Sequence, residues 1–192
     1  MYQLHLSLKR FIRRFVRSDR GVAVIEFAFI MPFLITLYFG TIEGASLYSV
    51  DRRVAAVAGA MGDLVSRTNV TITTATLTQY FSAASGIMQP YATTDLTQVV
   101  SEISVSSTGV ATVLWSRAYN GGTARVAGAS YPLAATLQIN LISRGSYLVV
   151  AEMQYPYKPV YGVVIPSTIQ LNHTEYFVPR FATKICIDAA TC

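Results

Sequence analysis

The chain has 192 residues, of which 52% are hydrophobic, and its formal net charge is +5. The whole positive excess lies in residues 1–20, where six basic side chains accompany one acid, Asp19, while acids and bases balance in the rest of the chain. This distribution excludes a basic face spread over a folded domain, and with it nucleic-acid binding. It is typical of the cytoplasmic flank of a membrane segment.

An apolar run follows the basic segment. Residues 22–42 carry a single charge, Glu26, and as a helix they would measure about 31 Å, one hydrocarbon thickness. Six basic residues precede the run, whereas Glu43 and Asp51 follow it together with Arg52 and Arg53. This asymmetry predicts a single-pass membrane protein with a cytoplasmic N-terminus and an exported, periplasmic remainder. Glu26 needs an explanation, because a carboxylate within a membrane segment costs several kcal/mol unless it is paired, neutralised or near an interface.

A cleaved secretory signal is the alternative interpretation of this run. Ala56-Val57-Ala58 and Ala58-Gly59-Ala60 resemble signal-peptidase sites. The run is longer than an ordinary signal core, however, and a charged cluster separates it from these alanines. The membrane anchor is therefore preferred.

The helical pattern continues beyond the apolar run. Apolar side chains recur at alternating steps of three and four residues, which predicts one helix over residues 22–66 with a lipid-embedded half and an amphipathic half. We expect this seam to pack on the chain's own domain, and packing on neighbouring helices is the alternative. The seam consists of Leu47, Val50, Val54, Val57, Met61 and Leu64.

Residues 67–192 change in composition and predict a small periplasmic α+β domain. The segment LTQYFSAASGIMQPY predicts a short helix closed by Pro90, VVSEISV and VATVLWSRAY predict a hairpin followed by an NGG turn, and STIQLNHTEYFVP predicts a last long strand. YLVVAEMQYPY alternates, with Tyr147, Val149, Ala151, Met153 and Tyr155 on one face. YPLAATLQINLISRG is ambiguous between helix and strand. The predicted organisation is a leader over 1–21, the helix over 22–66 and the domain over 67–192.

The sequence lacks the residue patterns of catalysis. His5 and His173 are the only histidines, and no phosphate-binding loop, dinucleotide fingerprint or metalloprotease motif occurs. His173 is expected to be a strand residue with a polar neighbour. The chain is therefore predicted not to be an enzyme and to need no cofactor, metal or small-molecule substrate.

Cys186 and Cys192 are the only cysteines. Two cysteines separated by five residues do not make a four-ligand zinc site. In an exported segment they predict a small disulfide-closed loop, and two free thiols are the alternative.

The order of basic segment, Gly21, four apolar residues and Glu26 resembles the type IV prepilin class. In that class a membrane-embedded aspartyl peptidase cuts after the glycine and leaves glutamate as residue five of the mature chain. The longer stretch GVAVIEFAFIMPFLITLYFGTIEGASLY is similar to the TadE-like family of the tight-adherence (Tad, Flp) pilus system. That pattern falls on Gly21, Glu26-Phe27-Ala28, Pro32, Phe39-Gly40 and Glu43.

The resemblance implies a minor pilin or pseudopilin with a pilin-like α+β fold, needed to assemble or anchor an adhesive fibre. It implies cleavage between Gly21 and Val22 by a prepilin peptidase, and an assembly contact at Glu26. Its partners would be the lipid bilayer of the bacterial inner membrane, other pilin subunits and the assembly machinery. An unprocessed single-pass protein with a periplasmic binding or sensor domain is the alternative, with Glu26 in the cytoplasmic headgroup zone.

Overall fold

The computed structural model describes residues 21–133 and 145–188. These residues belong to two units. The N-terminal unit is the chain up to Ala45 together with Pro159–Pro166, and the C-terminal unit is Ser46–Lys158 together with the chain from Ser167 onward. The ambiguous segment YPLAATLQINLISRG falls largely on residues 134–144, outside the described residues.

A single helix, α1 (Val22–Ser66), begins at the first residue of the apolar run. The prediction of one helix over residues 22–66 is confirmed, and α1 is long and apolar enough to cross a membrane. Pro32 lies inside the helix, where the Thr36 hydroxyl donates a hydrogen bond of 2.9 Å to its carbonyl oxygen.

The C-terminal unit contains the remaining elements. They are β1 (Thr71–Ile72), α2 (Thr74–Ser85), a 3₁₀ turn (Gly86–Met88), β2 (Thr97–Val105), β3 (Ala111–Tyr119), β4 (Tyr147–Tyr157), β5 (Ile169–Phe177) and β6 (Cys186–Ile187). The sheet has the order β3-β2-β4-β5 with every neighbour antiparallel, and β1 pairs with β6 in parallel. The predicted α+β class with an antiparallel sheet is therefore confirmed.

The local predictions within this unit hold for most elements. The predicted hairpin is β2 and β3, with Val105 opposite Ala111, and Asn120 and Gly121 of the NGG turn have φ values of 53° and 80°. The short helix α2 starts at Thr74, because Thr73 accepts a hydrogen bond from the backbone N–H of Thr76 and so caps it.

The predicted seam of α1 is buried in the main core of the C-terminal unit. Val50, Val54, Val57 and Met61 are fully buried and pack with α2 and one face of the sheet. The prediction is wrong at its end, since Val65 is buried where Leu64 was expected. The signal-peptidase-like alanines lie within this packed part of the helix.

The central strand β4 is buried on both faces. Val149, Ala151, Met153 and Tyr155 join the main core, as the alternation predicted. The opposite face, which includes Val150, packs in a second cluster with β2, β3 and residues around Tyr131 and Leu133.

One acid lies in the main core. Glu102 on β2 is fully buried, and its carboxylate accepts hydrogen bonds from the Trp115 indole at 2.9 Å and the Ile185 backbone N–H at 2.7 Å. Burial raises the pKa of Glu102 to about 7, although both hydrogen bonds and the charge of Lys184 act in the opposite direction. Desolvation therefore outweighs the partners that the fold supplies.

Candidate functional site

The membrane half of α1 presents its side chains outward. Residues 22–38 are all exposed in the structure, in contrast to the seam that follows. An apolar helix on which none of the described residues pack needs another apolar environment, either lipid or the helices of other subunits. This segment carries Val22, Glu26 and Pro32 of the predicted pattern.

Gly21, Val22 and Glu26 lie at the start of α1. Val22 is the first residue of the helix, and Glu26 follows one turn later on its exposed surface. Among the residues that the structure describes, Glu26 has no hydrogen-bond partner and no ion pair. A β-carbon added at Gly21 would meet no atom within 4 Å, so the described fold does not require a glycine there.

The second glutamate of the family pattern, Glu43, has a different environment. Its side chain is only 2% exposed, and its carboxylate accepts three backbone hydrogen bonds from the loop between β4 and β5. The N–H groups belong to Val163 at 2.9 Å, Val164 at 3.1 Å and Ile165 at 2.9 Å. Donation by several backbone N–H groups stabilises the ionised form of a carboxylate.

The neighbouring pattern residues contact the same loop. The rings of Phe39 and Tyr161 pack edge to face with centroids 5.2 Å apart. A β-carbon at Gly40 would lie 3.4 Å from Cγ2 of Val164, an ordinary van der Waals distance, so Gly40 lies directly beside the loop. Phe39, Gly40 and Glu43 thus form one contact surface, which we call the loop cradle, for residues 159–166.

Sequence reasoning did not identify the loop cradle. The sequence indicates Glu43 as part of the family pattern and as a flanking charge, and it indicates no partner for its carboxylate. The loop offers one signal, an uncharged stretch, VYGVVI, between Pro159 and Pro166. Nothing local in either segment indicates that the two meet.

The remaining predicted residues lie in the C-terminal unit. Cys186 is buried on β6. Its proposed partner Cys192 lies outside the described residues, so the disulfide stays a prediction. His173 on β5 has the expected polar neighbour, since its Nε2 lies 2.7 Å from Oδ1 of Asp51.

Comparison with known proteins bears on the N-terminal segment. A family model described as TadE-like protein matches residues 21–60. No curated protein and no solved structure shows significant similarity to the chain. Residues 21–60 are similar to the TadE-like family, which confirms the resemblance predicted from the sequence and associates this segment with Tad pilus systems.

Proposed function

We propose that the chain is a minor pilin or pseudopilin, a structural protein and not an enzyme, that takes part in assembling a Tad-type adhesive pilus. The observation that carries this proposal is the TadE-like match, which begins at Gly21, the residue before the proposed cut. A domain of some 125 residues would be bulky to repeat along a thin fibre, so the role is that of a minor subunit.

Processing follows from the residues around the start of α1. A prepilin peptidase cuts between Gly21 and Val22, which removes the basic leader and leaves a cationic amine on Val22. Packing within the described residues does not require a glycine at position 21, because a β-carbon there would meet none of their atoms within 4 Å. Recognition by the peptidase would explain why this position has no side chain.

Glu26 then makes an assembly contact. It lies about 6 Å along the helix from Val22, and its exposed position leaves the carboxylate accessible to another subunit. The amine of a neighbouring Val22 would neutralise it, and the pair would set the axial register between two helices.

The location follows from the same charges. The leader is cytoplasmic, α1 crosses the bacterial inner membrane once, and the C-terminal unit is periplasmic, where it meets other pilin subunits and the assembly machinery. The competing function is an unprocessed anchor for a periplasmic binding or sensor domain.

The mass of the protein isolated from membranes separates the two functions. Loss of residues 1–21 in cells with a prepilin peptidase, and an intact chain in cells without it, would support the pilin. A full-length chain in both strains would contradict it and favour the anchor.

A further inference from the structure

The loop held by the cradle has an unusual surface for an exported domain. Between Pro159 and Pro166 it carries no charged side chain. Its apolar side chains point outward: Val160 is 78% exposed, Tyr161 56%, Val163 53% and Val164 47%. Four neighbouring exposed apolar side chains in one short loop indicate a contact surface, since isolated ones would be unremarkable.

The cradle fixes the level of this loop along α1. Phe39 and Glu43 lie 17 and 21 residues after Val22, so the loop meets the helix about 26–32 Å from its start. That distance is about the thickness of the hydrocarbon core of a bilayer. The loop therefore lies where the apolar span of α1 ends, and its exposed side chains continue the lipid-facing surface of the helix.

Three backbone N–H groups of the loop already have hydrogen-bond acceptors within the protein and do not need water. Non-helical backbone is costly near hydrocarbon because its N–H groups lose their hydrogen bonds with water. Here the consecutive N–H groups of Val163, Val164 and Ile165 all donate to Glu43. The same bonds shield the carboxylate, which is almost inaccessible. The loop N–H groups and the Glu43 carboxylate thus satisfy one another's hydrogen bonds, so neither would be left unpaired in contact with lipid.

We propose that residues 159–166 insert into the interfacial layer of the bilayer leaflet farther from the basic leader, as a second membrane contact beside the spanning helix. The valines enter the boundary between headgroups and acyl chains, about 5–10 Å deep as for other interfacial segments. Tyr161 has the amphipathic character that favours this layer, with its ring on the apolar side and its hydroxyl toward water. The assignment requires α1 to span the membrane and does not require cleavage after Gly21.

Depth-dependent fluorescence quenching tests this assignment. The full chain carrying Tyr161→Trp is reconstituted into phosphatidylcholine–phosphatidylglycerol vesicles whose acyl chains are brominated near the headgroup or near the bilayer centre. The wild-type chain gives the baseline, because its single tryptophan, Trp115, is buried in the C-terminal unit. We expect roughly half of the added emission to be lost with shallow bromines and less with deep ones, as interfacial burial requires.

Two further variants make the result specific. Val126→Trp places a tryptophan at an exposed site of the C-terminal unit, and its quenching should not exceed the baseline. Tyr161→Trp combined with Glu43→Gln leaves loop N–H groups without an acceptor, so the loop should favour water and its quenching should fall. Unchanged far-ultraviolet circular dichroism reports that the fold of each variant is intact.

The result that overturns the proposal is an unquenched tryptophan at position 161 in dilute vesicles. Equal quenching at positions 161 and 126 would overturn it as well. If quenching falls as the protein-to-lipid ratio rises, a second copy of the chain covers the loop, and the lipid assignment is wrong for the assembled state. Quenching that is independent of that ratio supports lipid as the occupant.

Discussion

Oε2 of Glu43 lies 2.9 Å from the backbone nitrogen of Ile165, 122 residues later in the chain. This contact gives the second glutamate of the TadE-like pattern a structural task that differs from the task proposed for the first. Glu26 is exposed on the helix, whereas Glu43 is enclosed by backbone donors. Two acids of one motif therefore have different environments: Glu43 binds a loop of its own chain, whereas the partner proposed for Glu26 lies in another subunit.

Replacing Glu43 should release the loop without unfolding the C-terminal unit. Glu43→Gln keeps the side-chain size but leaves one acceptor oxygen in place of two and removes the charge. A hydrogen bond to a charged acceptor contributes about 1.5–3 kcal/mol, so we expect the amides of Val163, Val164 and Ile165 to exchange about 10- to 100-fold faster. Hydrogen exchange read by mass spectrometry measures this.

The matched control is Glu175→Gln, which removes an exposed acid from β5. It should leave the exchange of the loop amides unchanged. Equal exchange in Glu43→Gln and the wild-type protein would show that the carboxylate does not hold the loop.

The sequence predicted α1 well because its signal is local and periodic. Val50, Val54, Val57 and Met61 were assigned to the core, and they are buried there. The prediction that Leu64 is buried was wrong, because alternating steps of three and four residues correspond to an average of about 3.5 residues per turn. A straight helix has about 3.6 residues per turn, so the predicted positions drift around the helix by about 20° per heptad. By the end of the seam, Val65 faces the core in place of Leu64.

The loop cradle and the pairing of β1 with β6 could not be predicted in this way. The cradle joins a side chain to backbone N–H groups, which every residue except proline carries, so no residue type reveals it. The strands β1 and β6 have two residues each, too few to show any alternation. Glu102 continues the buried alternation of Gln98 and Val100 in β2. An acid is almost never fully buried without partners, and the Ile185 N–H that binds it lies 83 residues later, so no local pattern predicts its burial.

Two glycines of α1 should respond in opposite ways to the same substitution. A β-carbon at Gly62 would lie 2.3 Å from Cδ2 of Phe177, whereas one at Gly59 would meet no atom within 4 Å. Gly62→Ala should lower the free energy of unfolding by about 1–3 kcal/mol through overpacking against β5. Gly59→Ala should raise it by about 0.5–1 kcal/mol, because alanine stabilises a helix interior. Urea unfolding of the full chain in detergent measures both, and equal effects would contradict the packing of α1 on β5.

The stability of the C-terminal unit should fall between mildly acidic and neutral pH because of Glu102. Its pKa is about 7 in the folded chain against an ordinary value of 4.5. Below pH 4.5 the carboxyl is protonated in both states and its contribution is complete. As the pH rises toward 7 the unfolded chain loses the proton first, so the free energy of unfolding decreases, by about 3 kcal/mol in total.

Glu102→Gln isolates this effect from other titrating groups. Glutamine does not ionise. The difference between the free energies of unfolding of the wild-type protein and the variant should therefore change by about 3 kcal/mol as the pH rises from 4.5 to above 7. Chemical unfolding at a series of pH values gives both curves. Parallel curves would mean that Glu102 ionises as readily in the folded chain as in the unfolded one.

The proposed cut requires a residue without a side chain at position 21. Gly21→Val should block cleavage and leave a precursor that retains the leader, because the peptidase must accommodate this residue. The fold should not change, since a β-carbon there meets no atom of the described residues within 4 Å. Electrophoretic mobility and intact mass report the product. A mature chain of normal mass from this variant would rule out the site.

Glu26 should act in assembly and not in folding or insertion. Glu26→Leu removes a costly carboxylate from the membrane segment, so insertion should be unchanged or easier. Cleavage after Gly21 should persist, because the peptidase reads mainly the glycine. Fibres should fail to form, since an incoming subunit loses the charge that pairs with the Val22 amine of its neighbour and sets its register.

The experiment replaces the native copy with Glu26→Leu and counts surface fibres by electron microscopy, after protein level and processing have been checked. Phe29→Leu is the matched control, because it changes another exposed side chain of the same helix without removing a charge. It should leave fibre numbers near those of the wild type. If Glu26→Leu also gives wild-type fibre numbers, Glu26 makes no register-setting contact. The alternative then holds, in which the carboxylate lies in the cytoplasmic headgroup zone and is hydrated by water.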